Sequence, residues 1–251
     1  MEEFLSALMV FAAGIVAGVT NTMAGGGSFI SLPALIALGL SPAVANGSNR
    51  IAILLQSSIA SLVYLRAKKL DLRRGLRWAV LIAVGAVVGA KVASSLSEAI
   101  FGRVFGVLFI AMSLALLFKQ QLLTGSNTAR PRSLILAVIV FFIVGFYGGF
   151  LQAGVGILML LAFSTLLGWD MLQANGLKNF IAVLYTIPAL IFFAAEGQID
   201  YEAGLLLAAG NSLGGYWGAK WSLQAGQKWL IRIVVLVAFI SGLAMLLRPL
   251  A

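Results

Sequence analysis

Apolar runs of about twenty residues recur along the whole chain, from FLSALMVFAAGIVAGVT at residues 4–20 to LIRIVVLVAFISGLAMLL at 230–247. Each is long enough to cross hydrocarbon about 30 Å thick as a helix. An outer-membrane barrel would instead show strands of about ten residues with alternating polarity, and no such alternation is present. Of the 251 residues, 61% are hydrophobic and 10% charged, and the mean hydropathy of +1.05 is beyond what a water-soluble domain of this length sustains. The expected fold is all-α, a polytopic membrane protein. Glu2 and Glu3 stand where a secretory signal would be basic, so the first run reads as a retained helix.

The chain has no cysteine and no histidine. Disulfides, thiolate chemistry and the commonest zinc ligands are thereby excluded, as is the commonest general base. No cofactor or metal is expected. The net charge of +9 falls mostly in short loops between apolar runs, which is the signature of membrane orientation rather than of nucleic-acid binding.

Apolar runs and polar breaks predict segments at 4–23, 28–40, 43–66, 75–97 and 100–118, a basic linker, then 133–152, 155–168, 171–195, 202–222 and 229–248. A shift of 129 residues, without gaps, superposes the second set on the first. It pairs Gly25 with Gly154, Gly27 with Gly156, Gly39 with Gly168, Ala45-Asn46-Gly47 with Ala174-Asn175-Gly176, and Asp71 with Asp200. Further on it pairs Gly85, Gly89 and Lys91 with Gly214, Gly218 and Lys220, and Arg103 with Arg232. The chain therefore divides into a first transmembrane repeat at 1–118, a cytoplasmic linker at 119–132 and a second repeat at 133–251.

Loop charge predicts how the repeats are oriented. The loop near 66–77 carries Arg66, Lys68, Lys69, Arg73, Arg74 and Arg77 against Asp71, so it is expected in the cytoplasm, together with Lys119, Arg130, Arg132, Lys220, Lys228 and Arg232. Its repeat partner, 195–204, carries Glu196, Asp200 and Glu202 and no base. Equivalent loops on opposite sides imply inverted-topology repeats with both termini outside. Such repeats need an odd number of crossings. Segments 28–40 and 155–168 are too short to span and are expected to be broken or re-entrant half-helices, leaving three full crossings per repeat.

Polar residues interrupt this pattern at matched places. NTMAGGGS at 21–28 precedes one half-helix and QAGVG at 152–156 the other. Irregular backbone at membrane depth survives only inside protein or along a hydrated cavity. Consecutive glycine N–H groups before a helix start form a nest suited to a small anion. Candidate substrate-binding groups are Asn21, Thr22, Gly25, Gly26, Gly27 and Ser28 in the first turn and Gln152, Gly154 and Gly156 in the second. A second polar cluster opens the following helix of each half. It adds Asn46, Asn49 and Arg50, matched by Asn175, Lys178 and Asn179. For Arg50 and Lys178, anion binding competes with snorkelling to headgroups, and for Lys91 and Lys220 snorkelling is the simpler reading. Gly85-x-x-x-Gly89 and Gly214-x-x-x-Gly218 read as helix-packing motifs. All eight acids, Glu2, Glu3, Asp71, Glu98, Asp170, Glu196, Asp200 and Glu202, lie at segment ends, so no carboxylate relay crosses the core.

The stretches Asn21-Thr-Met-Ala-Gly-Gly-Gly, Leu32-Pro-Ala-Leu, Gly39-Leu-Ser-Pro and Ala45-Asn-Gly-Ser-Asn resemble, over essentially the whole chain, the TauE/SafE or sulfite exporter family. The resemblance implies a bacterial or archaeal inner-membrane permease for small sulfur-containing anions such as sulfite and sulfonates. Related sequences commonly carry aspartate where this chain has Asn21, so a carboxylate role there does not transfer.

Taken together, a secondary transporter of a small anion working by alternating access is expected, and not an enzyme. Rival readings are a passive anion channel, a transporter of small carboxylates, a membrane-embedded enzyme and a non-transporting subunit. Expected partners are the bilayer, the anion and, as an open option, a second copy in a homodimer.

Overall fold

The computed structural model describes residues 2–118 and 133–224. The linker 119–132 and the last expected segment, 229–248, lie outside the described residues, and with them Lys119, Arg130, Arg132, Lys228 and Arg232. All regular structure among the described residues is helical. The first repeat holds α1 (Glu2–Ala24), α2 (Ser28–Ala37), α3 (Pro42–Arg66), α4 (Leu72–Ser94) and α5 (Glu98–Phe118). The second holds α6 (Leu134–Phe150), α7 (Val155–Leu167), α8 (Met171–Ala195) and α9 (Tyr201–Gln224). After a shift of 129 residues the bounds of α3 and α8 coincide.

Local chemistry sets these bounds. Gly25, at φ +87°, ends α1 by donating its N–H back to the carbonyls of Asn21 and Thr20, a left-handed cap that costs other residues strain. In the second turn Gln152, at φ +67°, donates its N–H back to the Tyr147 carbonyl, and Gly154, at φ +74°, is the left-handed residue that opens α7. Ser41 caps α3 ahead of Pro42, and the Asp170 carboxylate accepts from the N–H groups of Leu172 and Gln173 at the start of α8. At about 1.5 Å per residue, the 10 residues of α2 and 13 of α7 cover about 15 and 20 Å, short of a bilayer core.

The exterior is apolar, and a cluster of polar side chains is buried within an otherwise apolar core. Phe4, Leu8, Val80, Val84, Ile135, Ile143 and Trp221 are exposed, whereas Asn46, Ser48, Asn49, Arg50, Gln56, Asn175, Asn179 and Asn211 are buried. Lipid rather than water is the solvent for such a surface. Glu3–Ala24, Gly75–Ser94 and Met171–Ala195 are long and apolar enough to cross a membrane. With 25 and 24 residues, α3 and α9 match them in length and lose hydropathy to these inward polar side chains.

Contacts fix the helix directions. Gly210 faces Phe11 and Ile15, Gly214 faces Ile15 and Val19, and Gly218 faces Val19 and Thr22, so α1 and α9 run parallel along a glycine seam. Their repeat partners α6 and α4 form a second parallel seam, with Gly145 on Ile82, Gly149 on Ala86, and Gly85 and Gly89 on Phe142 and Phe146. Both small-xxx-small pairs expected from sequence lie in these seams. By contrast α3 and α8 pass in opposite directions. Tyr64 meets Asn175, Gln56 meets Asn179, and Gly47 near the start of α3 meets Phe193 near the end of α8. Gln198 and Asp200, before α9, lie against Gly47 and Ser48, and Lys69, after α3, lies against Gly176. The two repeat-equivalent loops thus sit at opposite ends of α3.

Candidate functional site

Both broken turns lie in the interior and touch. The backbones of Gly25 and Gly156 pack so closely that a Cβ on either would overlap the other. Among the described residues, the N–H groups of Gly26, Gly27 and Ser28, and of Gly154 and Gly156, take no backbone acceptor. Two short helices therefore start deep in the protein with donors unspent. Gln152, also at positive φ (+67°), sits at the head of the second turn; it donates to Thr186 Oγ1 at 3.1 Å and the Tyr185 hydroxyl at 3.5 Å.

Each turn is clamped by a cation from the opposite half. Lys178 on α8 is 3% exposed, and its Nζ donates to the Asn21 carbonyl at 2.7 Å and the Thr22 carbonyl at 3.0 Å. Arg50 on α3 is 0% exposed; its guanidinium donates to the carbonyls of Gly148, Gly149 and Phe150 and stacks 4.5 Å from the centroid of Phe193. The last carbonyls of α1 and α6 have no partner within their own helix, and a cation there meets both that need and the negative end of the helix dipole. Neither side chain snorkels to the surface. Lys91 and Lys220 are exposed, the latter lying over the Tyr216 ring at 4.5 Å, as surface lysines would.

The remaining expected residues complete the scaffold around the turns. Asn46 donates to the Phe150 carbonyl at 2.9 Å, and its Oδ1 is buried without a partner. Asn49 joins α3 to α2 through Ser28 and Ser31. Asn175 donates to the Tyr64 hydroxyl at 2.8 Å and to Ser222 at 3.1 Å; its Oδ1 is likewise unpartnered. Asn179 donates to the Asn175 carbonyl at 2.9 Å and accepts from Gln56. Sequence reasoning missed Ser31, Gln56, Tyr64, Tyr185, Thr186 and Ser222. For Gln56 a signal existed: it interrupts an apolar stretch seven residues after Asn49, on the same helix face.

Between the turns lies a narrow cavity bounded by Asn21, Gln152, Gly156, Lys178, Asn179 and Tyr185, with Ile53, Val155, Met159 and Ala182 as its apolar wall. It has room for about one water molecule. The expected residues are therefore divided. Asn21, Gln152, Gly156, Lys178 and Asn179 line this cavity, while Thr22, Gly25, Gly26, Gly27, Ser28, Asn46, Asn49, Arg50, Gly154 and Asn175 lie outside its wall.

An apolar exterior and a helical bundle with two broken helices around an interior cavity place the chain in the class of polytopic membrane proteins. The sequence matches the family described as Sulfite exporter TauE/SafE over residues 10–245, and the chain belongs to that family. A probable membrane transporter protein of Haemophilus influenzae is 32% identical over 233 residues, covering 92% of this chain and 91% of its own. Probable membrane transporter protein YfcA of Escherichia coli K12 is 28% identical over 254 residues, covering 98% and 94%. Probable membrane transporter protein ORF9 of a Sinorhizobium species is 28% identical over 240 residues, covering 96% and 92%. No solved structure matches.

Proposed function

We propose that the protein is a secondary transporter of a small anion, sulfite or an organosulfonate in the first place, in a bacterial or archaeal inner membrane. One observation carries this reading. Arg50 and Lys178 are buried in the interior, and every described acid lies at a helix end, at or near the surface. Burying two cations with carbonyl dipoles and, for Arg50, the Phe193 ring to offset them, and with no carboxylate bonded to either among the described residues, is costly. An anion in the adjacent cavity would supply the missing charge, held by Lys178, Asn21, Asn179 and Gln152 and by the N–H of Gly156. The family name supports sulfur oxyanions; the groups themselves would accept small carboxylates as well.

The halves are read as inverted repeats, supported by the antiparallel passage of α3 and α8 and by the opposite placement of their loops. With the basic loop after α3 in the cytoplasm, both termini lie outside. The moving units differ from the sequence halves. The seams lock α1 to α9 and α6 to α4, so each rigid body takes helices from both repeats. Between the bodies run the polar contacts of Arg50, Lys178, Asn46, Gln56 and Asn175, which an anion and water can replace. Cavity closure around about one water corresponds to an occluded arrangement that opens alternately to either side.

Counterflow of ³⁵S-sulfite in proteoliposomes tests this. Preloading with unlabelled sulfite is expected to accelerate label uptake with saturation. Flux that follows voltage, without saturation or counterflow, would mark a channel and overturn the transporter reading.

A further inference from the structure

Gln56 and Tyr185 occupy the same register position in the two repeats, since 56 + 129 = 185. Both are buried at the centre of their helices, α3 and α8, and each bonds to the broken turn of its own half. Gln56 Oε1 accepts from Asn21 Nδ2 at 2.6 Å, and its Nε2 donates to Thr22 Oγ1 at 2.6 Å and Asn179 Oδ1 at 3.3 Å. Gly215 of α9 makes room for it; a Cβ there would come 2.7 Å from Gln56 Cγ. The Tyr185 hydroxyl receives Gln152 Nε2, with Thr186 beside it, while its ring lies along Gly148. Asn21 and Gln152, the side chains so held, both line the cavity. Gln152 Oε1 has no partner.

We infer that Gln56 and Tyr185 are the positioning residues of the anion site, each fixing the one polar side chain that its turn contributes to the cavity. This rests on the anion-site reading above. The two are chemically unlike, an amide in one half and a phenol in the other, so the half-sites are held differently. Gln56 on α3, which packs against α9, bonds across to Asn179 on α8, which packs against α4, whereas the hydrogen bond of Tyr185 to Gln152 stays on the α4, α6 and α8 side. Loosening Gln56 thus frees Asn21 and also removes a bond between the bodies. Loosening Tyr185 leaves Gln152 held by Thr186 alone and removes no hydrogen bond between the bodies.

Initial rates of ³⁵S-sulfite uptake by reconstituted wild type, Gln56→Leu, Tyr185→Phe and Lys178→Met separate the possibilities, with sulfite-induced thermal stabilisation in detergent as an equilibrium readout. Tyr185→Phe, which removes one hydrogen bond, is expected to raise KM up to about tenfold, and Gln56→Leu, which removes those to Asn21, Thr22 and Asn179, by more. Vmax per folded molecule should change less than KM for Tyr185→Phe and fall as well for Gln56→Leu. Gln56→Glu, which sets a carboxylate beside the Thr22 that Lys178 also binds, is expected to weaken sulfite more than Gln56→Leu does, by acting as a built-in rival anion. A purely structural role would lower yield, melting midpoint and Vmax while KM stayed within twofold. That result in both Gln56→Leu and Tyr185→Phe, with KM raised in Lys178→Met, would overturn this inference alone. An unchanged KM and unchanged sulfite stabilisation in Lys178→Met would overturn the anion site itself.

Discussion

Arg50 and Lys178 show how a buried charge is built into the scaffold of a helical bundle. Arg50 reaches three carbonyls with a planar fork, and a lysine cannot copy that geometry. Arg50→Met keeps the stem on Phe193 but strands the carbonyls of Gly148 and Gly149, at about 1–3 kcal/mol each. Relief from burying a charge offsets part of this, leaving a net destabilisation of about 2 kcal/mol. The thermal midpoint in detergent is expected to fall most for Arg50→Met and by an intermediate amount for Arg50→Lys. Equal midpoints for Arg50→Lys and wild type would show that charge alone matters. That both positions are cationic was legible in the sequence, as was their place in a polar cluster. Their partners were not. The carbonyls they bind lie 98–100 and 156–157 residues away, at helix ends that meet them only after the bundle has packed. Gln56 was missed for a similar reason, because one amide in an apolar run gains meaning only from the Asn21 and Asn179 it touches.

Among the elements, the half-helices and the glycine turns were readable because helix length and left-handed backbone leave marks in sequence: a run too short to span, and glycine at 25 and 154. The pairing of α1 with α9 and of α6 with α4 left only the small-xxx-small spacing, which names a face and not its partner. Glycines in these seams and a helical glycine with open space around it should answer substitution with opposite signs. A Cβ at Gly149 would overlap the Ala86 carbonyl, so Gly149→Ala must push α6 off α4, at about 1–3 kcal/mol. Gly106 on α5 has nothing within 4 Å of where a Cβ would sit. Gly106→Ala gains helix propensity, up to about 1 kcal/mol. Thermal midpoints are therefore expected to fall for Gly149→Ala and to hold or rise for Gly106→Ala. A fall of the same size in both would remove the case for a seam.

At the scale of the whole molecule, the gapless shift of 129 residues disclosed two copies, and loop charge suggested how they face the membrane. Neither discloses what moves. Motion of each sequence half as a block would have to shear α1 past α9 and α6 past α4, dragging glycine backbones through contacts that leave no room for a methyl group. Motion between the two swapped bodies disturbs instead the polar contacts of α3 with α8, whose donors and acceptors can be exchanged for anion and water at small net cost. Distances between spin labels distinguish these motions, and the absence of native cysteine makes every introduced thiol a unique label site. Met9 on α1, Leu213 on α9, Val84 on α4 and Ile143 on α6 are all exposed, so labels there leave the interior intact. Thioether-linked nitroxides are required because sulfite cleaves disulfides. On adding saturating sulfite, the Met9–Leu213 and Val84–Ile143 distances are expected to hold, while Leu213–Val84 shifts. If the within-seam distances shift and those within each sequence half, Met9–Val84 and Ile143–Leu213, hold, then the halves move as blocks and the seams are sliding surfaces rather than the rigid parts of the machine.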